Sequence, residues 1–64
     1  MSNTMSLASD ENTKSIARGM GAWHQRRGLS RDITIGATVK EHPGLAGYEM
    51  DIAKGWNAAK RGRV

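Results

Sequence analysis

Two stretches of the chain repeat one pattern. Ile16-Ala17-Arg18-Gly19-Met20-Gly21-Ala22 and Ile52-Ala53-Lys54-Gly55-Trp56-Asn57-Ala58 both read Ile-Ala-basic-Gly-large-x-Ala. A glycine inside a helix costs roughly 1 kcal/mol relative to alanine. Its presence in both stretches marks places where another backbone comes close. Each stretch is followed by two cations and a glycine, Arg26-Arg27-Gly28 and Lys60-Arg61-Gly62. The pattern predicts two helices packed antiparallel through Gly19 and Gly55, with Trp23 and Trp56 flanking the contact. Gly19-Met20-Gly21 is not a phosphate loop, because no strand precedes it and no third glycine follows.

Apolar spacing extends both predictions. Ile16, Gly19, Met20 and Trp23 follow the i, i+3, i+4, i+7 stripe of an amphipathic helix over about 10–27. Ser9 or Asp10 caps its start, and Glu11 suits the positive end of its dipole. Gly28 supplies a left-handed stop, closed by Leu29. Leu45, Tyr48, Ile52, Trp56 and Ala59 form the stripe of a second helix over about 45–61. His42-Pro43-Gly44 is a turn before it.

The connector at 30–41 reads two ways. Ile33, Ile35, Ala37 and Val39 alternate with Thr34, Gly36 and Thr38, a strand pattern. A lone strand has no partner in this chain, so a short helix capped by Ser30, or an irregular packed segment, is the favoured reading. The fold class is therefore all-α: a helical hairpin of two main helices with a short connector. Residues 10–62 make one small domain, and residues 1–9 a disordered tail.

At 64 residues the chain has room for one modest core. Its expected members are Ile16, Met20, Trp23, Leu29, Ile33, Ile35, Val39, Leu45, Tyr48, Ile52 and Trp56. No cysteine is present, so neither a disulfide nor a thiolate metal site is available. His24 and His42 have no companion ligands; the first reads as a solvated surface residue and the second as part of the turn. No cofactor is expected. Glu49 and Asp51 are two apart and point to different helix faces, so they cap a helix rather than form an acid/base pair. No nucleophile motif is present, and the chain reads as a non-enzyme. No apolar run suits a membrane span, and no secretory signal opens the chain, so a cytoplasmic location is expected.

The charge is +4 in total, but its placement says more. Residues 12–31 hold Lys14, Arg18, Arg26, Arg27 and Arg31 without an acid, and residues 52–64 hold Lys54, Lys60, Arg61 and Arg63 without an acid. The intervening residues 32–51 carry a net −3. Acid-free basic blocks are the electrostatic footprint of a polyanion binder.

The chain resembles ribosome modulation factor and its small relatives. Gly19-Met20-Gly21-Ala22 and Gly55-Trp56-Asn57-Ala58-Ala59 are the matching positions, within residues 14–61. The resemblance implies two helices joined by a connector, ribosome binding near ribosomal RNA, and silencing of translation. Together with the charge pattern, it points to an RNA- or ribosome-associated binding protein. Arg18, Arg26, Arg27, Lys54, Lys60, Arg61 and Arg63 would contact phosphates. The aromatics read as core, but one exposed beside the arginines could stack on an unpaired base. Two further readings stand beside this one. A small regulator of phage or plasmid type could inhibit a host protein, with 32–40 adding a strand to a partner sheet. A homodimer could bind DNA through paired 32–40 strands.

Overall fold

The computed structural model describes the backbone over residues 2–62 and the side chains over residues 10–62; the tail expected at 1–9 lies outside the fully described part. Three helices follow one another: α1 over Ser2–Arg26, α2 over Arg31–Glu41 and α3 over Glu49–Lys60, with a single 3-10 turn at Pro43–Leu45 before α3. No strand occurs among the described residues.

Local chemistry sets the boundaries. Gly28 takes φ +86°. Its N–H donates to the Gln25 carbonyl at 2.9 Å, and the Leu29 N–H donates to the His24 carbonyl at 3.2 Å. This pair of bonds satisfies carbonyls that the end of α1 would otherwise leave free. Two residues later Ser30 is extended, and its hydroxyl accepts from the Ile33 N–H at 3.3 Å. That cap commits 32–40 to a helix. Thr34 and Thr38, four apart, become its fully buried positions. The strand pattern loses because the described residues hold no second strand to satisfy its backbone. Asp10 stands inside α1 rather than at its cap, and its carboxylate bonds elsewhere, as described below. The second long helix starts at Glu49 rather than 45. Gly47 adopts φ +93°, a left-handed conformation that interrupts helical continuity, and Leu45 is spent on the 3-10 turn, where it is buried.

The direction of packing differs from the expected hairpin. Asp10 meets Tyr48, Arg18 meets Asp51, and Gly21 meets Ile52 and Trp56. Numbers rise together on both sides, so α1 and α3 run parallel. Helix α2 carries the chain back: Thr38 approaches His24, while Glu41 to Leu45 share a groove with Thr13 and Ile16. A connector that folds as a helix returns the chain to its starting end, which a short turn could not do.

The glycine contact is real but uses a different glycine of α1. A Cβ on Gly21 would lie 2.8 Å from the Trp56 nitrogen and against the Ile52 carbonyl. One on Gly55 would strike the Arg18 carbonyl. Gly19 has no such atom within 4 Å. The buried positions of α1 are Ala17, Gly21, Ala22 and His24; Ala17, Gly21 and His24 stand one residue beyond the expected Ile16, Met20 and Trp23. Close backbone approach admits only small residues at the seam, so the large ones are displaced to its flanks. Ile16 and Trp23 are therefore exposed (57% and 48%), not core, and Ile33 on α2 is exposed as well (58%). The core consists of Ala17, Leu45 and Ile52, with Met20, Ile35, Val39 and Tyr48 packed around it.

The Tyr48 hydroxyl donates to the Asp10 carboxylate at 2.6 Å, and Lys14 lies 3.6 Å from the same side chain. The Tyr48 bond, then the Lys14 charge, holds Asp10 below its ordinary value against partial desolvation. Asp10 in turn raises Tyr48. Backbone N–H groups of Gly47 and Glu49 lower Glu49. A carboxylate depressed in the folded state stabilises above its unfolded pKa, and that contribution is lost as pH falls through the folded value. A tyrosine raised by its bond contributes below its unfolded pKa and loses this as pH rises through the folded value. Thermal melts are expected to fall on acidification below about pH 4, the ordinary carboxylate range. Tyr48→Phe should flatten that acid limb. An unchanged limb in this variant would show that Asp10 is not tied to Tyr48.

Candidate nucleic-acid interface

Parallel packing brings the ends of α1 and α3 to the same end of the bundle. Arg26 and Arg27 close α1, and Lys60 and Arg61 close α3. Because α2 starts at that end, Arg31 joins them. A groove lined by Ser30, Arg31, Asp32, Trp56, Asn57 and Lys60 runs between the start of α2 and the end of α3. Arg26, Arg27, Arg31, Lys60 and Arg61 are exposed, and none forms an ion pair with a carboxylate among the described residues. The C-terminal carbonyls of α1 and α3 carry partial negative charge, which makes this end a favourable place for cations.

The opposite end is acidic. Asp10, Glu11 and Glu49 lie at or near it, with Glu41 at the end of α2. Lys14 is held there between Asp10 and Glu11 at 3.6 and 3.8 Å. Asp32 is the one acid at the basic end among the described residues; it stands in the first turn of α2, where the helix dipole favours it.

Two residues expected to contact phosphate stand elsewhere. Arg18 lies mid-helix and pairs with Asp51 at 3.3 Å, a bond that links α1 to α3. Lys54 is exposed in the middle of α3, more than one turn before Lys60. Arg63 lies outside the described residues. Arg31, assigned to the connector, is the member that sequence reasoning missed. Its signal was Ser30: a capped helix starting there must present its first residue beside the end of α1.

The aromatic residues divide. Trp56 is partly buried, and its Nε1 donates to the Leu29 carbonyl at 2.8 Å, fixing α3 to the stop of α1. The Lys60 ammonium lies 5.2 Å from its ring centroid. Trp23 is half-exposed, with the Arg27 guanidinium 4.7 Å from its centroid. The His24 ring meets it edge-on at 4.8 Å and 86°. His24 is not a solvated surface residue: it is 3% exposed. Its Nδ1 lies 2.9 Å from the Met20 carbonyl and 3.5 Å from the Thr38 hydroxyl. A backbone acceptor one turn earlier satisfies Nδ1 locally, which favours burial of the ring. Its place on the Ala17–Gly21 stripe was the cue.

Among the described residues, no helix is long and apolar enough to cross a membrane. The chain matches no protein-family model, no curated protein and no solved structure.

Proposed function

We propose that this is a non-catalytic RNA-binding protein, associated with the ribosome and modulating translation. The observation that carries the reading is the convergence of Arg26, Arg27, Arg31, Lys60 and Arg61 on one end, with no carboxylate pairing them among the described residues. Two basic blocks separated by an acidic stretch in sequence become one cationic surface in space. Such a surface contacts phosphates and positions a strand, with little sequence readout. Arg18 and Lys54 take a lesser part, because the first is paired and the second lies off the cluster. The likeness to ribosome modulation factor supports the ribosome as the source of that RNA.

The cue for a strand-adding inhibitor of a host protein, and for a DNA-binding dimer of paired strands, was the 32–40 segment. That segment is helical, so it lends neither reading support.

The test is binding to single-stranded RNA across a salt series, with co-sedimentation on ribosomes. Each phosphate contact releases counterions, so log K should fall with log salt at a slope of about −0.7 per contact. Affinity unchanged from low to high salt would remove the reading.

A further inference from the structure

We propose that Trp23 is a stacking platform for an unpaired base, so that the basic end prefers single-stranded nucleic acid to duplex. This deepens the nucleic-acid reading above and rests on it. Exposing nearly half of an indole gives up burial that an apolar ring normally gains on folding. Ile16, Ile33 and Met50 are also exposed, but they have no π-face. Trp23 combines such a face with a cation on it.

The ring is already held in place. His24 packs against it in a T-shaped contact, and His24 is itself fixed by the Met20 carbonyl and buried beside Thr38 of α2. A platform ordered before binding costs less to use than one that must be immobilised. Arg27 follows Trp23 by one helical turn, on the same face. A base on the indole would therefore leave its phosphate near a guanidinium, with the rest of the cationic end beyond. Base–aromatic stacking beside basic side chains is how sequence-tolerant single-strand binders work. Bases inside a duplex are stacked on each other and cannot reach the ring. Trp56 is less available for this, since it is partly buried and Lys60 lies over its ring.

The experiment compares oligouridine, oligothymidine and an RNA duplex of equal length, at low and raised salt. The indole N–H signals of Trp23 and Trp56 are followed separately by NMR. Both single strands should shift the Trp23 signal, and the Trp56 signal less. Trp23→Leu should weaken single-strand binding about tenfold, the scale of one lost stacked base, and duplex binding by less than about twofold. The difference should persist at raised salt, because stacking is not screened. Trp23→Phe, which keeps a smaller ring, should fall between wild type and Trp23→Leu; circular dichroism verifies that both variants fold. Stronger binding of oligouridine than oligothymidine would add a 2′-hydroxyl contact and keep the platform. Equal affinity for duplex and single strand, an equal loss on both in Trp23→Leu, or an unmoved Trp23 signal overturns the proposal while leaving phosphate binding intact. Absence of salt-dependent binding to all three overturns both.

Discussion

Gly55→Ala should unfold the protein or lower its stability by about 3 kcal/mol or more, the upper range of overpacking costs. The added methyl would strike the Arg18 carbonyl. That carbonyl belongs to the backbone in the middle of α1, so it cannot rotate aside as a side-chain tip would. The gain in helix propensity from alanine, roughly 1 kcal/mol, does not offset the collision. Gly21→Ala should behave alike, since its methyl meets Ile52 and Trp56 backbone atoms. Gly19→Ala is the matched contrast. It has open space, so it should gain up to about 1 kcal/mol. In a domain this small, about 1 kcal/mol moves the melting temperature by roughly 4–8 °C. Melts followed by circular dichroism therefore separate the three variants widely. A Gly55→Ala protein that melts with the wild type would mean that α1 and α3 do not cross here.

Neutralising the cationic end should have the largest effect on binding. With Arg26, Arg27, Lys60 and Arg61 changed together to glutamine, the slope of log K against log salt should become shallower by about 3, near 0.7 for each contact. Affinity for single-stranded RNA at low salt should fall by roughly a hundredfold or more. A simple excess of positive charge makes a competing prediction, and two single variants decide between them. Lys60→Gln and Lys14→Gln remove the same charge. Lys60 lies in the cationic groove, whereas Lys14 is held by Asp10 and Glu11 at the other end. If the footprint governs binding, Lys60→Gln reduces the slope and Lys14→Gln leaves it nearly unchanged. Equal effects would mean that net charge alone is responsible.

The local devices of the fold were legible in the residues. Gly28 with Leu29 ends a helix, Ser30 starts one, and Gly55 marks a close backbone contact, all as their side-chain chemistry requires. The stripes of α1 and α3 were legible to within about one residue. That residue mattered. Rotating α1 by one position puts Ala17, Gly21 and His24 on its buried side in place of Ile16 and Trp23, and leaves Met20 packed at the flank. Hydrophobic periodicity favours the larger residues, because it counts burial per side chain. The seam selects the smaller ones, because it gains from backbone proximity.

The candidate site shows the same division. The sequence by itself determined that cations close both long helices, that acids gather in the chain's middle, and that no cysteine chemistry is available. These are properties of neighbouring residues, and short-range electrostatics and capping act on them directly. Only the tertiary structure decided that the two cationic ends coincide. The direction of α3 relative to α1 depends on the connector: a turn would have made a hairpin and set the basic blocks at opposite ends, whereas α2 carries the chain back and sets them together. It also decided that Arg18 is engaged by Asp51, that Arg31 joins the cluster, and that Trp23 faces outward. Each of those outcomes depends on contacts between residues far apart in the chain, which local periodicity does not specify.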